Sequence, residues 1–191
     1  MSTGQPPVRR ADAVRNRALL LDAARRLFQQ ADDEPVSLEG VARAAGVGIG
    51  TLYRHFPSRD ALVAALYHSE LDDLAAAADA LLQAHPAAEA MRLWIDRYGD
   101  FVATKHGMRD ALQSAWAGGA APLGDTRVRI TSVIERLLGA GAADGTLRSD
   151  VRADDVTATL VGVFLATPRV TDADQRRRMF DLVVAGLRTA G

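Results

Sequence analysis

Apolar side chains recur along this chain at helical spacing, and the two-residue alternation of a half-buried strand is hard to find. The first stripe is Leu20, Leu21, Ala24, Leu27 and Phe28, which predicts a helix over about Asp12 to Gln30. Val41 and Ala45 share one face of a short second helix with Ser37 as its N-cap. Gly46 ends that helix where the backbone needs a positive φ. Leu52 and Phe56, four apart, place a third helix back against the second, and the small Ala42 lets the two cross closely.

Pro57-Ser58 then punctuates the chain, with Ser58 capping a long helix to about Ala84. His85-Pro86 opens the next helix, through Leu93 and Val102 to about Lys105. A shorter helix follows from Met108 to Ala117, closed by Gly118-Gly119. Ile130, Val133, Ile134, Leu137, Leu138 and Gly141 form one face of a helix from Asp125 to about Ala142, and residues 143–150 are a turn-rich link. Val156 to Ala166 and Met179 to Leu187 are the last two helices. The fold class is all-α, about nine helices. Residues 1–10 read as a disordered arm, 11–57 as a three-helix helix-turn-helix domain, and 58–191 as a helical effector-binding and dimerisation domain.

Composition narrows this picture. Of 191 residues 48% are hydrophobic and only 5% aromatic, and no cysteine is present, which excludes disulfides, thiolate metal sites and a Cys nucleophile. No apolar run is long enough to span a bilayer and the N-terminus lacks a signal-peptide core, so a soluble cytoplasmic protein with no membrane partner is expected. Formal net charge is −1, which by itself announces no nucleic-acid partner. Residues 1–60 hold nine arginines against seven acids, or +2, leaving 14 minus 17, or −3, for the rest.

The third helix, about Ile49 to His55, carries the chemistry. Ile49, Gly50, Thr51 and Arg54 are candidates for base edges, with Arg54 suited to guanine. Tyr53, His55, Arg59 and Ser37 suit phosphates. Arg59 opens the long helix, where the dipole favours acids, and a cation there makes sense beside a phosphate. Arg9 and Arg10 read as a solvated tail, with a minor groove as their other destination.

From about Arg17 to Leu66 the chain resembles the tetracycline-repressor (TetR) family of transcriptional regulators. The likeness rests on Leu20-Leu21-Asp22-Ala23-Ala24-Arg25-Arg26-Leu27-Phe28, on Ala45-Gly46-Val47-Gly48-Ile49-Gly50-Thr51-Leu52-Tyr53-Arg54-His55-Phe56 and on Pro57-Ser58-Arg59-Asp60-Ala61-Leu62. Arg59 stands where lysine is commoner, Gly48 replaces a frequent serine, and the usual glycine after the first helix is missing from Ala31-Asp32-Asp33-Glu34. The resemblance implies phosphate contacts by Tyr53 and His55, a double-stranded operator, and repression released by a small-molecule effector.

Two further surfaces are expected. Met91, Trp94, Tyr98, Phe101, Thr104, Met108, Gln113 and Trp116 mix bulky apolar groups with a few polar handles and suit a small, largely apolar ligand, with His68 and His106 as hydrogen-bonding groups. The last two helices are apolar nearly all round, so pairing with a second copy would hide them, with Gly162 and Gly186 permitting close approach. Val156, Leu160, Val163, Phe164, Phe180, Val183, Val184 and Leu187 are the expected homodimer interface, a mode the resemblance also implies. The four histidines are scattered without metal-ligand spacing, and no cofactor is expected. Asp96, Asp100, His106 and Asp110 form no nucleophile–base pair, so the chain is not read as an enzyme. The competing reading is an accessory dimer that binds a protein partner without specific DNA binding.

Overall fold

The computed structural model describes residues 7–30, 36–108, 112, 124–167 and 173–189, and the described residues form eight helices. These are α1 (Pro7–Gln30), α2 (Leu38–Ala45), α3 (Ile49–His55), α4 (Arg59–Ala84), α5 (Ala87–Gly107), α6 (Gly124–Asp144), α7 (Ala153–Ala166) and α8 (Ala173–Leu187). The short helix expected over Met108–Ala117 falls largely outside the described residues; within them, the Leu112 N–H donates to the Met108 carbonyl at 2.8 Å.

Three helices start earlier than periodicity placed them, for one physical reason: their first turns are polar or carry proline. α1 begins at Pro7 rather than Asp12, inside the stretch read as an arm, because proline is tolerated in a first turn whose amides need no helical acceptor. α7 begins at Ala153 with Asp154 and Asp155 in its first turn, where carboxylates suit the dipole. α8 begins at Ala173, six residues before Met179, through the polar run Asp174-Gln175-Arg176-Arg177-Arg178.

The chain divides into two compact units, Met1–Ser69 with Ala103–Ala121, and Glu70–Val102 with Pro122–Gly191. The division falls within α4 and α5. In the first unit α1 packs on α2 and α3. Its core is Leu20, Ala23, Ala24, Phe28, Val41, Leu52, Phe56, Leu62, Val63 and Leu66. In the second unit α6 packs on α7 and α7 on α8. Its interior is organised by aromatics: Trp94 stacks on Tyr98 at 5.6 Å, Phe164 meets Tyr98 edge-on at 5.4 Å, and Phe180 meets Phe164 at 5.3 Å. Such pairs add about 0.5–1.5 kcal/mol each beyond burial.

The turn after α6 ties several helix ends together. Asp144 accepts from the Ala87 N–H at 2.8 Å and the Thr146 hydroxyl from the Ala88 N–H at 3.2 Å, satisfying amides that open α5. Leu147 pairs with Arg188 in an isolated antiparallel bridge, and the Arg148 N–H donates to the Leu187 carbonyl at 2.9 Å. Leu147 lies over Gly141, where any Cβ would collide with it; this is the close approach that requires a glycine on α6.

Candidate nucleic-acid interface

The reading element is fixed by its caps. The Ser37 hydroxyl accepts from the Gly40 N–H at 3.1 Å and opens α2. At the other end Gly46 adopts φ 65° and ψ 26°; its N–H donates to the Arg43 carbonyl at 3.2 Å and that of Val47 to Ala42 at 3.0 Å. This left-handed cap satisfies the end of α2 and turns the chain sharply into α3. α3 is then pinned from below by Leu52, which is wholly buried, and by Phe56, whose N–H closes the helix onto Leu52 at 2.8 Å.

What remains is an outward face on a helix barely two turns long. Ile49 and Tyr53 are 41% and 45% exposed, large values for such side chains, and they lie four apart on one side. Gly50 and Arg54 are exposed; Thr51, His55 and Arg59 are half-buried. A Cβ built at Gly48 or Gly50 meets nothing within 4 Å, so packing within the chain gives no reason for either glycine. Ser58 caps α4 by accepting from the Ala61 N–H at 3.1 Å. Beside it, Arg59 Nε is buried with no hydrogen-bond partner. The Arg17 guanidinium, from α1, sits 5.4 Å from the Phe56 ring centroid. All eight residues expected to meet DNA lie in the first unit. Arg17 was not among them, because only the fold brings the middle of α1 to the end of α3.

Comparison with known proteins fits this element. Residues 20–66 match the family model "Bacterial regulatory proteins, tetR family", and residues 85–189 match "Transcriptional regulator SbtR-like, C-terminal domain". The TetR transcriptional regulator SCO0520 of Streptomyces coelicolor is 43% identical, with 92% of this chain and 99% of that one covered and a TM-score of 0.84. The chain belongs to the TetR family. A TetR regulatory protein of Mycobacterium vanbaalenii is 32% identical over 94% of this chain and 99% of its own, with a TM-score of 0.73. An HTH-type regulator of Mycobacterium tuberculosis, Rv1255c, is 49% identical over 51 residues, which span 27% of this chain and 25% of that protein. The protein is thus a DNA-binding transcriptional regulator of TetR type, with the all-α architecture of that family.

Of the residues expected to meet an effector in this TetR protein, Met91, Trp94, Tyr98 and Phe101 lie together in the second unit, all buried. The Trp94 indole N–H already donates to the Leu74 carbonyl at 2.9 Å, so that polar handle is engaged within the chain. Met108 is buried in the first unit; Thr104 lies on α5, and its side chain, like all of Gln113 and Trp116, falls outside the described residues. A groove of about 370 Å³ lies between α6 and the start of α7, lined by Thr131, Glu135, Leu138 and Arg148 among others, and none of the expected effector residues borders it.

The expected dimer residues are distributed unevenly between interior and surface. Val156, Leu160, Val163, Phe180, Val184 and Leu187 are at most 5% exposed within one chain, and Phe164 and Val183 are half-buried. They form the core under α7 and α8 and leave little surface for a second copy. The outward faces instead carry Leu165 and Leu182, 77% and 72% exposed, among Ala158, Gly162, Ala185 and Gly186. A Cβ at Gly162 or Gly186 meets nothing within 4 Å.

Four arginines of the second unit are paired internally. Arg92 meets Asp96 and, at 3.0 Å, Asp181; Arg129 meets Asp72; Arg136 meets Asp79 at 3.0 Å; Arg148 meets Asp150 at 2.7 Å. Burial, then the nearby Asp96 charge, pushes the Asp100 carboxyl above its ordinary value. Among the described residues no cluster of three or more His, Asp or Glu is arranged to hold a metal ion, and no helix is long and apolar enough to cross a membrane.

Proposed function

We propose that the protein is a homodimeric repressor that reads a roughly palindromic operator with two copies of α3 and leaves it when a small, largely apolar molecule binds. The single observation that carries this reading is the α3 face, where Ile49, Tyr53 and Arg54 stand exposed beside a bare Gly50 on a helix anchored by buried Leu52 and Phe56. Ile49, Gly50, Thr51 and Arg54 read base edges, with Arg54 bidentate to guanine. Ser37, Tyr53, His55 and Arg59 hold phosphates and fix the register. The buried, unpartnered Nε of Arg59 supports that role, since a bound phosphate oxygen would accept from it.

Residues 11–57 act as the reading domain and 58–191 as the effector-binding and dimerisation domain, with the outward faces of α7 and α8 around Leu165 and Leu182 pairing about a twofold axis. The effector occupies the region of Met91, Trp94, Tyr98 and Phe101 and binds the DNA-incompetent arrangement more tightly, with a coupling of about 1–3 kcal/mol. α4, shared by both units, carries the change to α3 by tilting. A DNA target places the protein's work in the cytoplasm, and its role is regulation rather than catalysis.

Selection of bound fragments from random duplex DNA tests the reading. A recovered site with two inverted half-sites, bound with steep salt dependence, is the expected result. Recovery of no preferred sequence overturns it in favour of an accessory dimer that works through a protein partner.

A further inference from the structure

We infer that Arg17 of α1 is a further phosphate contact, a cation held in place by Phe56 at the end of the reading helix. The inference rests on the DNA-reading role of α3 and adds a residue from a different helix to it.

Three observations carry it. Arg17 is exposed, and at helical spacing its neighbours are Ala13, Val14, Leu20 and Leu21, none of which can neutralise it. Arg26 on the same helix shows the alternative, with Asp22 four residues before it as its ion-pair partner. Among the described residues no acid pairs with Arg17. Its guanidinium is instead positioned by a ring: it lies 5.4 Å from the centroid of Phe56, which is 2% exposed and immobilised in the core. A cation over an aromatic face keeps N–H groups at its edge for an anion, and a fixed ring limits the rotamer freedom that binding must remove. Lastly, Phe56 directly follows Arg54 and His55 and precedes Arg59, so this ring brings Arg17 to the end of the element that carries the other cations. Arg17 thereby joins Arg54 and Arg59 as a cation with no acid partner among the described residues, in a chain of net charge −1.

The test compares the full-length protein with Arg17→Gln, Arg17→Lys and, as a control on the second unit, Arg97→Ala. Binding to the selected duplex is followed over a range of salt concentrations, with thermal unfolding measured in parallel. Each phosphate contact contributes about 0.9 to the slope of log affinity against log salt, and a dimer carries two, so Arg17→Gln should flatten the slope by about 1.8 and weaken binding more than tenfold at low salt. Arg17→Lys should retain most of the slope, because the charge remains, and Arg97→Ala should retain all of it. An unchanged slope for Arg17→Gln, with or without a lower unfolding temperature, assigns Arg17 a packing role only and overturns the inference while leaving the reading of α3 intact. A wild-type protein that shows no salt-dependent binding overturns both.

Discussion

Two groups of arginines, four on the second unit and three around α3, are treated differently. In the second unit Arg92, Arg129, Arg136 and Arg148 each meet an aspartate. Around α3, Arg17, Arg54 and Arg59 meet no acid among the described residues, and one nitrogen of Arg59 is buried without any partner. Paired and exposed, an arginine adds at most a modest increment to stability. Unpaired beside a rigid helix, it raises the local positive potential and waits for an anion from outside. The formal net charge of −1 averages these two populations and hides the second. What marks a nucleic-acid binder here is the gathering of such cations beside a capped helix-turn-helix, not how many there are.

The sharpest way to break this contrast is to separate the reading face from the core beneath it. Phe56→Ala removes a buried ring and is expected to lower stability by about 3–5 kcal/mol in denaturant unfolding, with loss of DNA binding as a consequence. Arg54→Ala, two residues from buried Leu52 yet on the exposed side, should leave stability within about 0.5 kcal/mol. Its operator affinity should nevertheless fall by about 1–3 kcal/mol, with relaxed preference at one base pair of each half-site. Equal losses at specific and unrelated sequences would instead make Arg54 a phosphate contact.

Gly50→Ala divides the two properties with opposite signs. A Cβ there meets nothing and alanine is the better helix former, so stability should rise by up to about 1 kcal/mol. If DNA approaches the bare backbone closely, affinity falls at the same time; a variant both more stable and as tight would show that the glycine serves no contact. Arg136→Ala probes the other population. Its pair with Asp79 is exposed, so a loss of about 0.2–1 kcal/mol is expected, diminishing in high salt, with operator binding unchanged.

The smallest effect is a pH dependence in the second unit. The Thr146 hydroxyl, then the N–H groups of Ala87 and Thr146, hold the Asp144 carboxyl below its ordinary value. The folded state therefore favours the ionised form more than the unfolded chain does. Its contribution is complete above the ordinary carboxylate range and is lost as pH falls through the lowered folded value. Thermal unfolding from neutral to acidic pH should show wild type and Asp144→Asn converging at the acid end; a constant gap would assign the effect to geometry instead.

The reading element was legible because local chemistry determines it. A serine cap, a glycine four residues after Ala42 and two apolar anchors four apart suffice to place α2, the turn and α3. Burial within the chain was not legible, because α7 and the second half of α8 are apolar on most sides, and periodicity cannot say which side faces the chain's own core. Only burial separates Leu160, wholly covered, from Leu165, five residues on and almost free. Contacts between remote positions were invisible for a simpler reason. Nothing near Trp94 announces the Leu74 carbonyl twenty residues back, and nothing near Arg17 announces Phe56.

The turn at residues 144–148 has a consequence for motion. It holds the start of α5, the end of α6 and the end of α8 through a handful of hydrogen bonds, so none of these ends can fray alone. Isotope exchange at the amides of Ala87, Ala88 and Arg148 should then proceed at one shared rate, as a single cooperative opening, although these positions are separated by some sixty residues of chain.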